Sequence, residues 1–135
     1  MKILLDSHIL IWYAQGNIKK LKPESIDLLT DLQNELYFSI VSIWEIAIKS
    51  NLDKPHFIIN PEELVLQLKE NGFKLLPLIP EHIFHLKQLE YIHRDPFDRM
   101  LLAQAETESL YFITADQTIL KYEKSFLPNA NILAD

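Results

Sequence analysis

Cysteine is absent from the 135 residues, so disulfides and thiolate metal sites are excluded and nothing points to an oxidising compartment. Glycine is nearly absent, with Gly16 and Gly72 the only two. A G-x-G-x-x-G dinucleotide loop, a P-loop and a G-x-S-x-G nucleophile elbow each need more glycine than that. The five histidines form no H-E-x-x-H pattern. No apolar run approaches the roughly 20 residues that span a bilayer. The opening stretch, MKILLDSHILIWYAQG, has the lysine and apolar residues of a secretory leader. Asp6 and His8 interrupt it, however, and no small-residue cleavage pattern follows. A cytoplasmic protein is the expectation.

Apolar residues make up 48% of the chain and charged residues 24%, which is the balance of a soluble globular protein with a real core. No repeat, low-complexity tract or Ser/Gly-rich linker divides it, so residues 1–135 read as one domain. The formal net charge of −6 argues against a basic surface that binds nucleic acid non-specifically. That argument weakens if several of the acids serve to bind metal.

Strand and helix patterns alternate along the chain. Residues 2–5 (KILL) read as a buried strand and His8 to Ala14 as a helix. Apolar residues at 26, 28, 29 and 32 give helical spacing over 24–34. LYFSI at 36–40 reads as a strand and IWEIAIKS at 43–50 as a helix. Asn60-Pro61-Glu62-Glu63 is a helix start with cap, first-turn proline and a glutamate three residues on; Asn71-Gly72 is its stop. FKLLPL at 73–78 is a third strand, placed at an edge or near its end by Pro77. A helix over about 81–90 follows, then one opened by Asp95-Pro96-Phe97-Asp98 and running to about Ser109. Strand 110–114, a short helix from Asp116 to Tyr122 and strand 130–134 complete the pass. The alternation predicts an α/β fold with a mostly parallel five-stranded sheet, helices on both faces and right-handed crossovers.

Four acids, Asp6, Glu45, Asp98 and Asp116, stand where an apolar run ends or a helix begins. In a parallel sheet, strand C-termini and the N-termini of the following helices share one edge, where ligands bind. Helix 98–109 rises about 17 Å. Strand 110–114 returns about 17 Å, which brings Asp116 back beside Asp98. Two carboxylates about 4 Å apart repel by roughly 4 kcal/mol at an effective dielectric of 20. Hard oxygen donors without a cysteine or histidine cluster suit Mg²⁺ or Mn²⁺, as one or two ions.

Each acid also has a purely structural reading. Ser42-Ile43-Trp44-Glu45 fits a capping box, with Glu45 in the first helical turn reaching back to the Ser42 amide. Asp95 reads as a helix cap, and Asp98 as an N3 acid worth about 0.3–1 kcal/mol against the helix dipole. Asp116 fits an Asx-turn. Asp6 is the hardest to dismiss, since an acid closing a buried strand needs something bound to it. Lys49 reads first as the i+4 partner of Glu45. Arg94 and Arg99 flank the acids and are candidates to hold phosphate or pair with carboxylates. His8 and His93 are candidates for the site edge, and Trp12 and Trp44 read as core or interface aromatics.

The segments LLDSHILIW (4–12), SIWEIAIK (42–49), HRDPFDRMLLAQA (93–105) and ITADQTILKY (113–122) together resemble the PIN-domain ribonucleases, and within them the VapC-type toxins of bacterial toxin–antitoxin pairs. The resemblance implies a three-layer α/β/α fold and an Mg²⁺- or Mn²⁺-dependent endoribonuclease. It implies Asp6, Glu45, Asp98 and Asp116 as the acidic quartet, with Ser7, Thr114 and Asp95 at matching positions beside it; Arg99, flanking the acids, is a further supporting candidate. His8 stands where many PIN domains have Asn. An RNA substrate, a cognate antitoxin and a homodimer are the partners implied. Two rivals differ in chemistry. A phosphotransfer protein also carries Asp at a strand end, but the dehalogenase type needs a second Asp where this chain has His8. A PIN-like binding module would keep its acids only as caps.

Overall fold

The structure, a computed structural model, describes residues 1–50, 59–89, 95–121 and 130–135. Five short strands, β1 (Lys2–Leu5), β2 (Glu35–Ser39), β3 (Lys74–Leu76), β4 (Tyr111–Thr114) and β5 (Asn131–Ala134), lie in the order β3-β2-β1-β4-β5. Every pairing is parallel, with Ile3 opposite both Leu36 and Tyr111 at the sheet centre. Six α-helices connect them among the described residues: α1 (Ser7–Ala14), α2 (Pro23–Thr30), α3 (Ile40–Ser50), α4 (Pro61–Glu70), α5 (Pro80–His85) and α6 (Pro96–Thr107).

The buried stretches of the central strands, Ile3–Leu5 in β1 and Phe112–Ile113 in β4, are apolar because both faces are covered. Along β1, Ile3 and Leu5 face one way and Leu4 the other, following the period of two. Ile3 and Leu5 join Ile9 and Leu10 of α1, Ile46 of α3 and Leu68 of α4 in one core. Leu4 joins Phe112 of β4 and Leu101, Leu102 and Ala105 of α6 in the second. All of these side chains are fully buried. The result is the three-layer α/β/α architecture.

Local signals account for the helix ends. Asn60 Oδ1 accepts the Glu63 amide at 3.1 Å and Pro61 occupies the first turn of α4. At its other end Gly72 takes φ +87°, and the Phe73 and Gly72 amides donate back to Leu68 and Lys69, the paired bonds of a left-handed glycine cap. β3 is an edge strand that stops before Pro77. α2 stops at Thr30, short of the expected residue 34, because Asp31 folds into a turn and accepts the Gln33 amide at 2.9 Å. The expected helix at 81–90 is α5 followed by a 3₁₀ turn at Leu86–Gln88, with residue 90 outside the described residues. The short helix at Asp116–Tyr122 is a 3₁₀ turn at Ile119–Lys121, with Tyr122 likewise outside.

One difference moves a candidate site residue. α3 starts at Ile40 with no intervening loop after β2, and Ser39 Oγ accepts the Val41 amide at 3.0 Å. Ser39 therefore does the capping expected of Ser42. Glu45 sits in the middle of α3, not in its first turn, and the capping-box reading of Ser42 and Glu45 fails.

The strand order creates the crevice that matters. The chain moves outward from β1 to β2 to β3, then crosses back to place β4 on the other side of β1. Such a reversal opens a cleft beyond the strand C-termini, here between β1 and β4. The Asp6 amide donates to the Ile113 carbonyl at 3.0 Å and ties the two strand ends together at that point. No helix among the described residues is long and apolar enough to cross a membrane.

Candidate active site

Asp6 follows β1 and is fully buried at the start of α1, yet its side chain caps no helix amide. Its Oδ2 accepts a 2.6 Å hydrogen bond from the Thr114 hydroxyl, which itself accepts the Asp116 amide at 3.0 Å. Its Oδ1 is buried with no hydrogen-bond partner among the described residues. Burial pushes the Asp6 pKa above the ordinary carboxylate value. The Thr114 bond, the His8 charge and the Ser7 amide pull against that shift, and the Asp116 charge adds to it. Asp116 Oδ1 accepts the Thr118 amide at 2.7 Å and the Ile119 amide at 3.2 Å, the expected Asx-turn.

Glu45 is buried and has the same divided character. Its Oε2 pairs with Lys49 Nζ at 2.8 Å, one helical turn along α3, while Oε1 is buried with no hydrogen-bond partner among the described residues. Ser7 Oγ, next to Asp6 in the chain, donates to Ser42 Oγ at 2.9 Å and joins α1 to α3. Ser42 thus has a different partner from the one its sequence context suggested.

Asp98 occupies the first turn of α6 and is buried. Asp95 is the cap of that helix, accepting the Phe97 amide at 2.8 Å and the Asp98 amide at 3.2 Å. Burial first, and then the charges of Asp6, Asp95, Glu45 and Asp116, push the Asp98 pKa up to about 8. These charges come from the end of β1, the start of α6, the middle of α3 and the end of β4. A single carboxylate feels all four, which is the convergence expected of one sheet edge.

The other candidates separate. His8 is exposed beside Asp6. Arg99 Nη2 reaches the Leu86 carbonyl at 3.5 Å. Trp12 packs against the first core, with Lys20 Nζ 5.8 Å from its ring centre. Trp44 is 58% exposed and meets Phe97 edge-on at 5.0 Å between ring centres. It lies at the surface, outside the core. His93 and Arg94 lie outside the described residues.

Residues 3–125 match the family model of the PIN domain. The chain belongs to the PIN-domain family. Solved structures place this PIN domain among close likenesses of fold. A chain of DNA-bound VapBC from Salmonella typhimurium superposes with a TM-score of 0.67 at 14% identity, covering 99% of this chain and 98% of that one. VapBC-1 from nontypeable Haemophilus influenzae gives 0.63 at 18% identity over the same shares. VapBC-5 from Mycobacterium tuberculosis, a member of the VapBC family of toxin–antitoxin systems, gives 0.62 at 16%, again over 99% and 98%. At these identities the likeness is one of fold. No curated protein matches the sequence.

Among the described residues of the PIN domain, no three His, Cys, Asp or Glu side chains are already drawn into a ready-made metal cage. The donor chemistry nonetheless fits a hard divalent cation. The Asp6 and Glu45 carboxylates each commit one oxygen to the protein and leave the other buried without a bond. A buried unpaired carboxylate oxygen is costly. Mg²⁺ or Mn²⁺ is held by few carboxylates and keeps several waters, so a closed cage is not required. Sequence reasoning missed the Ser7–Ser42 contact and a buried network beyond it. His82 is fully buried, with Nε2 2.9 Å from Glu108 Oε1 and Nδ1 accepting the Ile79 amide at 3.2 Å. Gln104 links that network to Ser39. Only the buried helical spacing of Gln104 among apolar residues hinted at it.

Proposed function

We propose that this PIN domain is a metal-dependent endoribonuclease of the VapC type, the toxin of a toxin–antitoxin pair, and that residues 1–135 form its single nuclease domain. The observation that carries this reading is the pair of orphaned buried oxygens, Asp6 Oδ1 and Glu45 Oε1, beside the carboxyl of Asp98. Asp6, Glu45, Asp98 and Asp116 would hold one or two Mg²⁺ or Mn²⁺ ions. A bound ion supplies an activated water and neutralises charge on the phosphate oxygens. Thr114 fixes the Asp6 carboxylate, Asp95 fixes the start of α6 and hence Asp98, and Ser7 holds α1 against α3. The acids serve as ligands or as acceptors for protons of the attacking water, and no covalent protein intermediate is needed.

The antitoxin partner is supported by the VapBC complexes of the same fold, each matched over nearly its whole chain. A homodimer is supported by apolar surface on α3 and α5, where Trp44, Ile83 and Phe84 are exposed. An apolar cleft of about 230 Å³ lies beside Trp44, lined by Val41, Leu78, Leu86, Phe97 and Met100. A cytoplasmic location goes with this reading, since cellular RNA is the substrate it assigns. The rival reading is a silent binding module that keeps its acids only as caps and turns, as Asp95 and Asp116 do here. One experiment divides them: cleavage of total cellular RNA by wild type and Asp98→Asn, with Mg²⁺ and with EDTA. The nuclease reading expects cutting by wild type with Mg²⁺ alone. Equal products from both proteins, or from the EDTA lane, would remove it.

A further inference from the structure

Lys49 is drawn to Glu45 by helix geometry, and the contact does more than decorate α3. Its Nζ lies 2.8 Å from Oε2, with the Glu45 side chain 5% exposed and the Lys49 side chain 32% exposed. The pair straddles the boundary between core and solvent, so the lysine keeps its head wet while reaching a buried carboxylate. Glu45 Oε1 is left buried and unbonded. Thr114 treats Asp6 in the same way, bonding Oδ2 and leaving Oδ1 unbonded. Two acids, one after β1 and one on α3, are therefore each pinned through one oxygen by a neighbour. The charges of both acids act on the Asp98 carboxyl.

We propose that Lys49 is a positioning residue of the metal site: it fixes the Glu45 carboxylate through Oε2 so that Oε1 alone is presented to a divalent cation. This rests on the metal-nuclease reading above and adds to it a role for a residue outside the acidic quartet. A glutamate has three rotatable side-chain bonds, and holding it in one orientation ahead of binding removes an ordering cost from the metal. Because Lys49 bonds the oxygen that the cation does not use, it stays in place when the cation arrives. Glu45 is then a one-oxygen ligand, in contrast to a two-oxygen clamp.

The sign of the effect separates this role from a simple charge. A lysine acting only by its charge would repel the cation, and its removal would tighten binding. A positioning lysine does the reverse. The experiment is calorimetric titration of Mn²⁺ into the full chain, comparing wild type, Lys49→Met, Lys49→Arg, Glu45→Gln and Glu45→Gln/Lys49→Met, each checked for fold by circular dichroism. Lys49→Met should weaken Mn²⁺ binding about 10–100-fold, the usual effect of losing an orienting partner of a ligand. Lys49→Arg, which retains a carboxylate partner, should restore it. In the Glu45→Gln background, Lys49→Met should have no further effect. Lys49→Gln carries the same expectation of weaker binding should Lys49→Met not fold. Unchanged or tighter binding in the folded lysine variants overturns the role of Lys49 and leaves the metal reading standing. Failure of wild type to bind Mn²⁺ overturns the metal reading itself.

Discussion

The Thr114 hydroxyl donates to Asp6 Oδ2 at 2.6 Å, joining two residues 108 positions apart, and the same oxygen accepts the Asp116 amide. One hydroxyl thus sets the orientation of an acid from β1 and of the turn that carries another acid after β4. The first contact depends on β1 and β4 being neighbours in the sheet, and the second is local to the turn after β4.

Thr114→Val keeps the shape and removes both bonds, stranding a second oxygen of the buried Asp6. A loss of about 1–3 kcal/mol in stability is expected, the cost of an unsatisfied buried polar group. Thr114→Ser retains the hydroxyl and should lie close to wild type. Urea denaturation of the three proteins in EDTA checks the difference.

The Asp98 carboxyl has a pKa of about 8 in the folded chain and an ordinary value near 3.8 when unfolded. Between those values the folded state holds a proton that the unfolded state has lost. Its stabilising contribution is complete below about pH 4 and disappears as pH rises through 8. Asp6 is shifted in the same direction. Metal-free protein should therefore melt at progressively lower temperature from pH 5 to pH 8.5. Asp98→Asn cannot ionise and should show a shallower decline. Parallel melting curves for the two proteins across this range would remove the assignment.

A cation that binds the folded acids but not the unfolded chain stabilises by about 2.7 kcal/mol at a hundredfold excess over its dissociation constant. Mn²⁺ should raise the melting temperature of wild type and leave Asp6→Asn nearly unmoved, since that change removes charge at the most buried acid. Because binding displaces the Asp98 proton, the rise should be larger at pH 8 than at pH 6. Scanning calorimetry with and without Mn²⁺ reads both effects.

His82 supplies the control. Its buried ring bridges the Ile79 amide and Glu108, on residues separate from the acidic quartet. His82→Phe should cost about 1–3 kcal/mol by leaving the Ile79 amide without its side-chain acceptor. Mn²⁺ affinity of the folded variant should stay at the wild-type value. A large fall in that affinity would mean that the Ser39–Gln104–His82 network holds the site as well as the core.

Sequence alone determined the alternation of strands and helices, the caps at Asn60 and Asp95, the glycine stop at Gly72 and the edge character of the strand before Pro77. These are local matters of side-chain period, cap chemistry and backbone freedom, legible within a few residues. The positions of Asp6, Asp98 and Asp116 at element ends followed from the same signals. Glu45 did not, because whether Ser39 or Ser42 caps α3 depends on where β2 ends in the sheet. The order β3-β2-β1-β4-β5 lies beyond local signals too, since parallel pairing joins segments a hundred residues apart through side chains of similar apolar character. That order brings Thr114 to Asp6 and buries Asp98 among four other acids. Only the tertiary structure therefore decided which carboxylate oxygens are committed to the protein and which two, among the described residues, are buried without a hydrogen bond.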